Sequence, residues 1–314
     1  MAADTATPSI FIDGEAGTTG LEIRERLAAV PGVAVKSIDP AKRKEAGARR
    51  EMFAGVDLVV LCLPDDAAKE AVALAAELGD KAPRIVDAST AHRVADGWVY
   101  GFPELDKAQA GLIAEARNVA NPGCYPTGAV ALIRPLVDAG ILPADYPVTV
   151  NAVSGYSGGG KSMIEAYEVT KTAPSFELYG LGLEHKHVPE MQLYARLMRR
   201  PIFVPSVGNF RQGMLVSVPL HLDALPRRPK AADLEAVLAA HYEGASLVTV
   251  VGAEKAGRLA AEALNGTDKL ELRVFANEAE RQAVLVARLD NLGKGAAGAA
   301  VQNIKLKQIG RAHV

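Results

Sequence analysis

Short apolar runs alternate with amphipathic stretches through the first third of this 314-residue chain, and that alternation constrains the fold more than any other feature of the sequence. The runs are rich in β-branched residues and predict buried strands, whereas the stretches between them repeat apolar residues at helical spacing. Alternating strands and helices predict a parallel sheet with helices on both faces. The predicted strands cover residues 9–13, 33–39, 58–64 and 84–89, and the predicted helices cover residues 19–30 and 67–78.

The rest of the chain predicts a second domain of a different class. Beyond a helix that begins near Cys124, strand-like runs follow one another with few helices between them. Many strands with few helices are typical of an α+β domain with a mixed or antiparallel sheet. The last stretch, residues 293–310, predicts a further helix. We therefore expect an α/β domain with a parallel sheet and a second, α+β domain.

Composition and charge exclude several classes of protein. A net charge of −2 gives no general attraction to nucleic acid or to an anionic membrane, and the longest apolar runs are too short to span a bilayer. The N-terminal residues contain no apolar segment typical of a signal peptide. The two cysteines lie far apart and form no disulfide framework, which fits a reducing compartment. We expect a cytoplasmic protein that acts on a small molecule and binds neither nucleic acid nor membrane.

The segment Asn-Pro-Gly-Cys-Tyr-Pro-Thr, residues 121–127, carries the first catalytic candidate. A proline and a glycine end a short strand there, and Pro126 suits the first turn of a helix. Cys124 is therefore expected at a helix N-terminus, where backbone N–H groups and the helix dipole favour a thiolate and hold an oxyanion. The alternative is a small apolar residue in a turn. Cys62, within an apolar run, is interpreted as a buried residue of a central strand without a catalytic role.

A glycine-rich loop joins the first predicted strand to the first predicted helix. Gly14, Gly17 and Gly20 form the pattern G-x-x-G-x-x-G, a variant of the G-x-G-x-x-G dinucleotide fingerprint. Glycines allow a tight turn and a close approach of a phosphate to the helix N-terminus. Thr18 and Thr19 add hydroxyl donors. A glycine loop without a ligand is the alternative, but the position at the first strand–helix junction favours a dinucleotide cofactor.

The residues after the second predicted strand bear on the choice between NAD and NADP. Asp39, at the predicted end of that strand, is placed to hold the ribose hydroxyls of NAD. Lys42, Arg43 and Lys44 follow at once, and their charges suit the 2′-phosphate of NADP. The alternative for these three is the solvated basic start of a helix. We expect NADP as the cofactor.

Two of the six histidines, His185 and His187, lie in the stretch LEHKHVPEMQ. Two histidines at this spacing on a loop are weak evidence for a metal site, so we expect no metal, and an ordinary surface loop is the second interpretation. The third interpretation is general acid/base catalysis by His187, beside a helix start that Val188-Pro189-Glu190 predicts. The dipole at a helix N-terminus disfavours imidazolium and keeps a neutral base. Glu190 would then orient this histidine or bind the substrate.

Three further segments hold candidate anion-binding side chains. Lys161 stands at a helix entry after the turn SGYSGGG, which suits an anion or a cofactor amide as well as a flexible loop. Arg211 lies between two predicted strands, and an ordinary hairpin charge is the alternative. Ser89 and Arg93 follow the fourth predicted strand, at the sheet edge where ligands bind in such folds.

Together these segments resemble those of the N-acetyl-gamma-glutamyl-phosphate reductases, in particular their shorter type. IFIDGEAGTTGLEIRERL resembles the cofactor loop of that family, NPGCYPTGA its nucleophile segment and HKHVPE its base-containing segment. DNLGKGAAGAAVQN resembles its C-terminal segment, which returns to the cofactor domain. The resemblance covers nearly the whole chain, and the cysteine and C-terminal motifs are its specific parts.

The resemblance implies a reaction of arginine biosynthesis, the NADPH-dependent reduction of N-acetylglutamyl 5-phosphate to N-acetylglutamate 5-semialdehyde and phosphate. Cys124 is the implied nucleophile, and its thiolate forms a thioester that hydride then reduces. Such covalent catalysis splits one difficult step into two easier ones. His187 is the implied acid/base, and the motif leaves His185 as the alternative.

The resemblance also implies the remaining site residues, the domain limits and the assembly. The implied substrate ligands are His185, Glu190, Arg211, Lys161, Ser89 and Arg93, of which the last three are inferred to place the phosphate. The implied cofactor contacts are Gly14, Gly17, Thr18, Thr19, Gly20, Lys42, Arg43, Ser157, Gly158 and Asn291. The implied domains are a Rossmann-type NADP-binding domain at 1–122 and 293–314, and an α+β domain for catalysis and oligomerisation at 123–292, which forms a homodimer or homotetramer.

Three other functions share much of this pattern. Aspartate-semialdehyde dehydrogenases have the same chemistry and architecture, but their cysteine usually follows an asparagine, whereas Gly123 precedes Cys124 here. Reductases that act on a carrier-protein-bound aminoadipyl or glutamyl phosphate have very similar motifs. A non-catalytic NADP-binding sensor would keep the fold, and the intact Cys124 and His187 argue against it.

Overall fold

The structure is a computed structural model that describes residues 7–43, 45–253 and 257–309. Lys44, residues 1–6 and residues 310–314, on which parts of the sequence predictions fall, lie outside the described residues. Within the described ranges, no helix is long and apolar enough to cross a membrane.

The chain divides into two compact units. Residues 104–107 and 293–295, which the predicted limits place in the first domain, belong to the second unit, where Glu104 and Lys294 form a buried ion pair. The first unit comprises the described residues of 1–103, 108–122 and 296–314, and the second comprises those of 104–107 and 123–295.

A parallel sheet forms the centre of the first unit. Its strands are β1 (Ser9–Asp13), β2 (Ala34–Lys36), β3 (Leu58–Leu61), β4 (Arg84–Asp87), β5 (Val99–Tyr100) and β6 (Asn118–Ala120). Their order is β2-β1-β3-β4-β6-β5, and every neighbouring pair is parallel, which confirms the predicted sheet. The helices are α1 (Thr18–Ala28), α2 (Ala46–Ala54), α3 (Asp65–Ala76), α4 (Gln109–Glu115) and α9 (Gly298–Ile309).

Alternate residues of these strands face two hydrophobic clusters, one on each side of the sheet. Ile10 and Ile12 of β1 pack with residues of α1 such as Ile23, whereas Phe11 packs with Phe53 of α2. Burial on both faces explains why the strands are nearly continuous apolar runs. The loops that carry the candidate residues leave this sheet at the carboxyl ends of its strands, where such folds bind their ligands.

The structure corrects the predicted elements of the first unit at three points. The second strand was predicted over residues 33–39, but β2 has only three residues, because the residues after it form a turn. Cys62 lies just past the end of β3 and is partly buried, so it does not occupy the centre of a strand. The short elements α2, α4 and β5 were not predicted, since short segments give little periodicity.

Within the described residues, a mixed seven-stranded sheet forms the centre of the second unit. Its strands are β7 (Thr149–Gly155), β8 (Phe176–Leu178), β9 (Ile202–Gly208), β10 (Met214–His221), β11 (Val248–Val250), β12 (Leu270–Asn277) and β13 (Gln282–Leu289). Their order is β11-β12-β13-β10-β7-β9-β8, with parallel and antiparallel neighbours, which confirms the predicted mixed sheet. The helices are α5 (Cys124–Asp138), α6 (Gly160–Glu168), α7 (Val188–Tyr194) and α8 (Ala231–His241).

In the part of the chain that the structure describes, helices cover one face of this second sheet and leave the other face open. α5 packs on β10 and β13, and α8 packs on β11 and β12; strand residues such as Val216 and Leu285 are fully buried. The opposite face borders a cavity of about 1050 Å³ lined in part by Phe176, Leu178 and Val284. These three residues are 56%, 49% and 38% exposed, so this face carries apolar surface in contact with water.

Candidate active site

Cys124 begins α5, as the sequence predicts. Gly123 is the N-cap residue with extended backbone, and among the described residues no side chain caps this helix. Cys124 is partly exposed, whereas the residues after it, 125–136, are all buried. The N-terminus of a helix presents unpaired N–H groups and the positive end of the dipole. The position therefore stabilises a thiolate on Cys124 and an oxyanion beside it.

A buried carboxylate holds the backbone in front of Cys124. Oε1 of Glu190, which is 1% exposed, accepts a hydrogen bond from the N–H of Gly123 at 2.8 Å. Thr127 donates its hydroxyl and its N–H to the Gly123 carbonyl at 2.9 and 3.0 Å. These hydrogen bonds fix Gly123 and with it the start of α5. The sequence assigned Glu190 to the substrate and gave no sign of this backbone partner.

Gly295 lies against Cys124. A Cβ atom built on Gly295 would stand 2.9 Å from Cβ of Cys124, closer than the 3.5–4.0 Å or so at which carbon atoms pack. Gly295 belongs to a single π-helical turn, Gly293–Ala297, which immediately precedes α9. Glycine is required here by a close approach, and the sequence did not indicate this contact.

His185 and His187 lie together in front of α7. His187 is buried and is the N-cap residue of α7, which confirms the predicted helix start, and the two imidazole centroids are 4.7 Å apart. The backbone N–H of His187 donates to Nδ1 of His185 at 3.1 Å. Because Nδ1 accepts this bond, neutral His185 carries its proton on Nε2.

Aromatic rings surround His185 and keep it neutral. The rings of Tyr125, Tyr179 and Phe203 lie with centroids 6.1, 5.7 and 5.1 Å from the His185 centroid. Burial, and then the charge of Lys186, lowers the pKa of His185 to about 4. A histidine with this pKa is neutral near pH 7, so His185 can donate a hydrogen bond from Nε2 but is too weak a base to take up a proton readily.

A chain of hydroxyl groups runs beside the histidines. The Tyr179 hydroxyl donates to the Tyr125 hydroxyl at 2.9 Å, and Tyr125 donates to the carbonyl oxygen of Ser206 at 3.1 Å. Burial is the largest influence that raises the pKa of Tyr179 to about 12, and the charge of Cys124 adds to it. Both phenols therefore stay protonated, and their hydrogen atoms are committed to this chain.

Ser157, Gly158 and Asn291, which the resemblance assigns to the cofactor, lie together in the second unit. Nδ2 of Asn291 donates to Oγ of Ser157 at 2.9 Å, and Oδ1 of Asn291 accepts the N–H of Gly213 at 2.9 Å. Ser157 and Asn291 are buried, whereas Gly158 is exposed. The Asn291 amide thus ties two turns together, and Gly158 is the member of the group that a ligand can reach.

Arg211 and Lys161 lie at the surface of the second unit. The Arg211 guanidinium pairs with Glu168 of α6, and its side chain is 51% exposed. The Arg211 carbonyl accepts the N–H of Ser157 at 3.0 Å, so the backbone brings Arg211 beside the Ser157 turn. Lys161 is exposed at the start of α6. Exposed ion pairs are weak, so an anionic ligand can compete with Glu168 for Arg211.

The glycine loop of the first unit fits a dinucleotide phosphate. Gly14 has a φ of +93°, and a Cβ atom there would clash with the carbonyl oxygen of Cys62, so only glycine makes this turn. Gly17 is the exposed N-cap residue of α1, and no side chain caps this helix start within the described ranges. The first-turn residues Thr18 and Thr19 are partly exposed. The N-terminus of α1 therefore offers N–H groups and hydroxyls to a phosphate.

The turn after β2 holds the residues predicted to distinguish NAD from NADP. Asp39 lies beyond the end of the strand, and its Oδ1 accepts the N–H of Ala41 at 2.9 Å. Its carboxylate thus closes a turn, and it does not end the strand as predicted. Lys42 and Arg43 are exposed in the same turn, where their charges are open to a ligand.

Sequence reasoning missed Arg24 and Ser37 beside this turn. Ser37 directly follows β2, and Nη1 of Arg24, from α1, donates to the Ser37 hydroxyl at 2.7 Å. The same guanidinium pairs with Glu15 of the glycine loop. Arg24 and Ser37 lie 13 positions apart in the sequence, so only the packing of α1 beside β2 reveals the pair. An arginine near the end of the second strand is how such folds accommodate a 2′-phosphate.

Ser89 and Arg93 are held at the end of β4 by hydrogen bonds within the first unit. The Ser89 hydroxyl donates to Oδ2 of Asp87 at 2.7 Å, so its hydrogen is not available to a phosphate. Arg93, which is 8% exposed, donates to the carbonyl oxygens of Asn121 and Ala88 at 2.9 and 3.1 Å. Arg93 therefore supports Asn121, the residue that opens the nucleophile motif.

Two other chemistries suggested by residue type find no support in the geometry. Burial, with the charges of Asp87 and Asp13 adding to it, raises the pKa of the Cys62 thiol to about 12, and Cys62 packs against the core. A thiol with such a pKa is protonated and a poor nucleophile at neutral pH. Among the described residues, no group of three or more His, Cys, Asp or Glu side chains is arranged to hold a metal ion.

Two family models match the chain. The model described as the semialdehyde dehydrogenase NAD binding domain matches residues 34–112, and the one described as the semialdehyde dehydrogenase dimerisation domain matches residues 124–291. The second match begins at Cys124. The chain is therefore an oxidoreductase with a domain of the NAD(P)-binding class.

Curated relatives and solved structures resemble the chain over nearly its whole length. The N-acetyl-gamma-glutamyl-phosphate reductase of Brucella ovis is 57% identical and that of Chelativorans sp. strain BNC1 is 53% identical, over 95% and 96% of this chain and 98% of each relative. The aspartate semialdehyde dehydrogenase of Francisella tularensis superposes with a TM-score of 0.73 at 11% identity, covering 96% of this chain and 99% of that one. At this low identity, the structural likeness shows only that the two proteins share a fold.

Proposed function

The chain belongs to the N-acetyl-gamma-glutamyl-phosphate reductases, and from this premise we propose that it reduces N-acetylglutamyl 5-phosphate to N-acetylglutamate 5-semialdehyde and phosphate through a thioester on Cys124. The reaction belongs to arginine biosynthesis. The observation that carries the proposal is the position of Cys124 as the first residue of α5, behind an N-cap residue whose N–H is held by Glu190.

The covalent chemistry follows from that position. The Cys124 thiolate attacks the acyl carbon of the substrate, the C–S bond forms, and the C–O bond to phosphate breaks. The N–H groups of the first turn of α5 stabilise the oxyanion on the attacked carbonyl. The hydride that reduces the thioester would come from NADPH held by the cofactor-binding residues. The resulting thiohemiacetal collapses to the aldehyde and returns the Cys124 thiolate.

His187 is the residue we assign to proton transfer. It takes the proton of the Cys124 thiol when the thiolate forms and returns it when the aldehyde leaves. His185 is the weaker candidate, since its Nδ1 accepts the His187 N–H and its pKa is lowered to about 4. We assign His185 to substrate binding, as a donor from Nε2.

The remaining substrate contacts are proposed with the roles that their partners allow. Arg211 and Lys161 are exposed cations in the second unit that suit the anionic groups of the substrate. Ser89 and Arg93 were inferred to place the phosphate, and their hydrogen bonds favour a supporting role for both. Glu190 acts on the substrate through the N-cap of α5.

The proposed cofactor is NADP rather than NAD. The pyrophosphate is assigned to Gly14, Gly17, Thr18 and Thr19, because the N-terminus of α1 is exposed and lacks a side-chain cap among the described residues. Gly20 is buried against Gly14 and is assigned to the shape of this cofactor loop. The 2′-phosphate is assigned to Lys42 and Arg43, with Arg24 as a third cation near the end of β2. Ser157, Gly158 and Asn291 are assigned to the nicotinamide end.

We propose that the protein forms a homodimer or homotetramer whose subunits contact each other through the open face of the second sheet. Phe176, Leu178 and Val284 expose apolar surface on that face, and contiguous apolar surface of this kind marks an interaction site. A family model described as a dimerisation domain matches this part of the chain. Val284→Glu should convert the assembly to monomers in size-exclusion chromatography with light scattering, and an unchanged mass would remove this face from the interface.

A cytoplasmic location fits the same reaction. Cys62 and Cys124 are not joined in a disulfide, and a thioester-forming thiol needs a reducing compartment to stay active. Localisation by fractionation of the native cell tests it, and an oxidised Cys124 in the isolated protein would contradict it.

A reverse-direction assay tests the proposed function. N-acetylglutamate 5-semialdehyde, inorganic phosphate and NADP are supplied, and formation of reduced nicotinamide is followed by absorbance. We expect a signal that requires phosphate and is absent with aspartate semialdehyde. Cys124→Ser is the matched control, because it removes the nucleophile and leaves the cofactor loop intact.

The outcomes separate the alternative functions. A signal with aspartate semialdehyde alone keeps the mechanism and replaces the substrate. Silence with both aldehydes, while NADPH still binds, indicates a carrier-bound substrate or a non-catalytic sensor. Thiol alkylation separates the last two, because a catalytic Cys124 reacts with iodoacetamide near neutral pH much faster than a buried thiol.

A further inference from the structure

A buried lysine that the proposed reaction does not use lies next to the nucleophile in the second unit. Lys294 is fully buried, and its Nζ stands 2.8 and 2.7 Å from the two carboxylate oxygens of Glu104. The Glu104 side chain is 8% exposed, so both charges are removed from water. The two residues are 190 positions apart in the sequence; Lys294 lies in the C-terminal motif DNLGKGAAGAAVQN, whereas Glu104 lies in none of the quoted motifs.

The energetics of such a pair argue against stability as its main effect. The desolvation of two charges often exceeds their mutual attraction, and apolar pairs of similar volume are often as stable or more so. Burial is the largest influence on Lys294 and lowers its pKa, whereas Glu104 and then Asp268 act to raise it. Two short contacts between buried charges hold the backbone of both residues in one arrangement. The clearest effect of the pair is therefore to position that backbone.

The backbone that this pair holds is the π-helical turn against Cys124. Lys294 is the second residue of Gly293–Ala297, and the residue after it, Gly295, approaches Cβ of Cys124 so closely that no side chain fits between them. The N–H of Gly295 also donates to the carbonyl oxygen of Asp290 at 3.0 Å. A displacement of Lys294 therefore moves Gly295 and changes the space behind the thiol. Single π turns within helices are frequent at functional sites.

We propose that Lys294 and Glu104 are positioning residues for the nucleophile. Their ion pair fixes the turn Gly293–Ala297, and this turn sets the place of the Cys124 thiol at the start of α5. The inference rests on the proposed role of Cys124 and adds two residues to the machinery of the same site. Neither residue touches the reacting atoms, and both act through Gly295.

The main test replaces the pair by apolar residues. The double variant Lys294→Met with Glu104→Leu removes both charges of the pair, and such exchanges usually preserve the fold. We expect a folded protein whose melting temperature is close to or above that of the wild type. We also expect at least a ~10-fold loss in kcat and in the iodoacetamide rate of Cys124, because misplacement by about 1 Å costs on the order of 10² in rate. The KM for NADPH should not change.

The control applies the same kind of exchange to an exposed pair. Arg50 and Glu77 form an ion pair with side chains 45% and 61% exposed, and Arg50→Met with Glu77→Leu should leave kcat and the alkylation rate unchanged. Wild-type values of both quantities in the Lys294/Glu104 double variant would overturn the proposal. A role in stability alone would lower the melting temperature and leave the alkylation rate of the folded protein as it is.

If the double variant does not fold, Glu104→Asp tests the positioning role instead. It keeps the charge but withdraws the carboxylate by one methylene group, so a positioning role predicts a lower kcat and a slower alkylation in a folded protein, and no change in either refutes it. The alkylation arm needs no substrate. If wild-type protein shows no phosphate-dependent turnover, the proposed function fails, while the effect of the pair on Cys124 can still be read.

Discussion

Gly295→Ala is the substitution for which the structure gives the clearest magnitude. The new Cβ would stand 2.9 Å from Cβ of Cys124, whereas packed carbon atoms are separated by about 3.5–4.0 Å. Cys124 or the turn Gly293–Ala297 must therefore shift by roughly 0.6–1.1 Å, the difference between those distances. A misplacement of about 1 Å at a reacting group costs on the order of 10² in rate, or about 2.7 kcal/mol of transition-state stabilisation.

The assay compares kcat, the KM for NADPH and the iodoacetamide rate of Cys124 in the variant and the wild type. We expect kcat and the iodoacetamide rate to fall together, because both depend on the position of the thiol. The KM for NADPH should stay unchanged. Gly111→Ala is the matched control, since a Cβ there meets nothing within 4 Å. A kcat within threefold of the wild type, at an unchanged melting temperature, would refute the reasoning.

The remaining predictions concern the nucleophile, the histidines and the cofactor. Cys124→Ser should abolish turnover while NADPH binding, followed by fluorescence titration, persists; residual turnover at the wild-type rate would remove Cys124 from the mechanism. His187→Asn should lower kcat by ~10²–10⁴ if it is the acid/base, and a loss of that size in His185→Asn instead would exchange the two roles. His185 has a folded pKa of about 4 against the ordinary 6.5, so the unfolded chain binds more protons between these values and stability should fall as the pH falls through that window. Urea unfolding at pH 7, 6 and 5 should show a smaller fall for His185→Asn than for the wild type, and equal falls would contradict this. Lys42→Ala with Arg43→Ala should raise the KM for NADPH more than that for NADH, and equal increases would refute the assignment of the 2′-phosphate.

The sequence predicted the elements that depend on local chemistry. The start of α5 at Cys124 follows from a Pro-Gly break and a proline suited to a first turn, and the start of α7 follows from Val188-Pro189-Glu190. The glycine loop before α1 was predicted from its pattern, and the structure shows why Gly14 is needed there. Apolar, β-branched runs and helical spacing likewise predicted the two sheets, because burial on one or both faces dictates which positions are apolar.

Local patterns failed to predict the structure where contacts with distant residues, or the ends of short segments, determine the conformation. The strand predicted at 33–39 ends at Lys36, because Ser37 bonds to Arg24 of α1 and Asp39 closes a turn. Cys62 has an apolar neighbourhood in the sequence but lies past the end of β3. The hydrogen bond of Ser89 to Asp87 commits the hydroxyl hydrogen that the sequence left free for a phosphate.

The sequence by itself determined the fold class and the family and predicted Cys124 as the nucleophile, since each depends on residue type and spacing within short segments. The tertiary structure alone decided what surrounds that nucleophile. Glu190 reaches the N–H of Gly123 across 67 positions, and Glu104 reaches Lys294 across 190. Such contacts form only when helices and strands pack, because packing brings together residues that no local periodicity relates, and it is this packing that places and orients the thiol of Cys124.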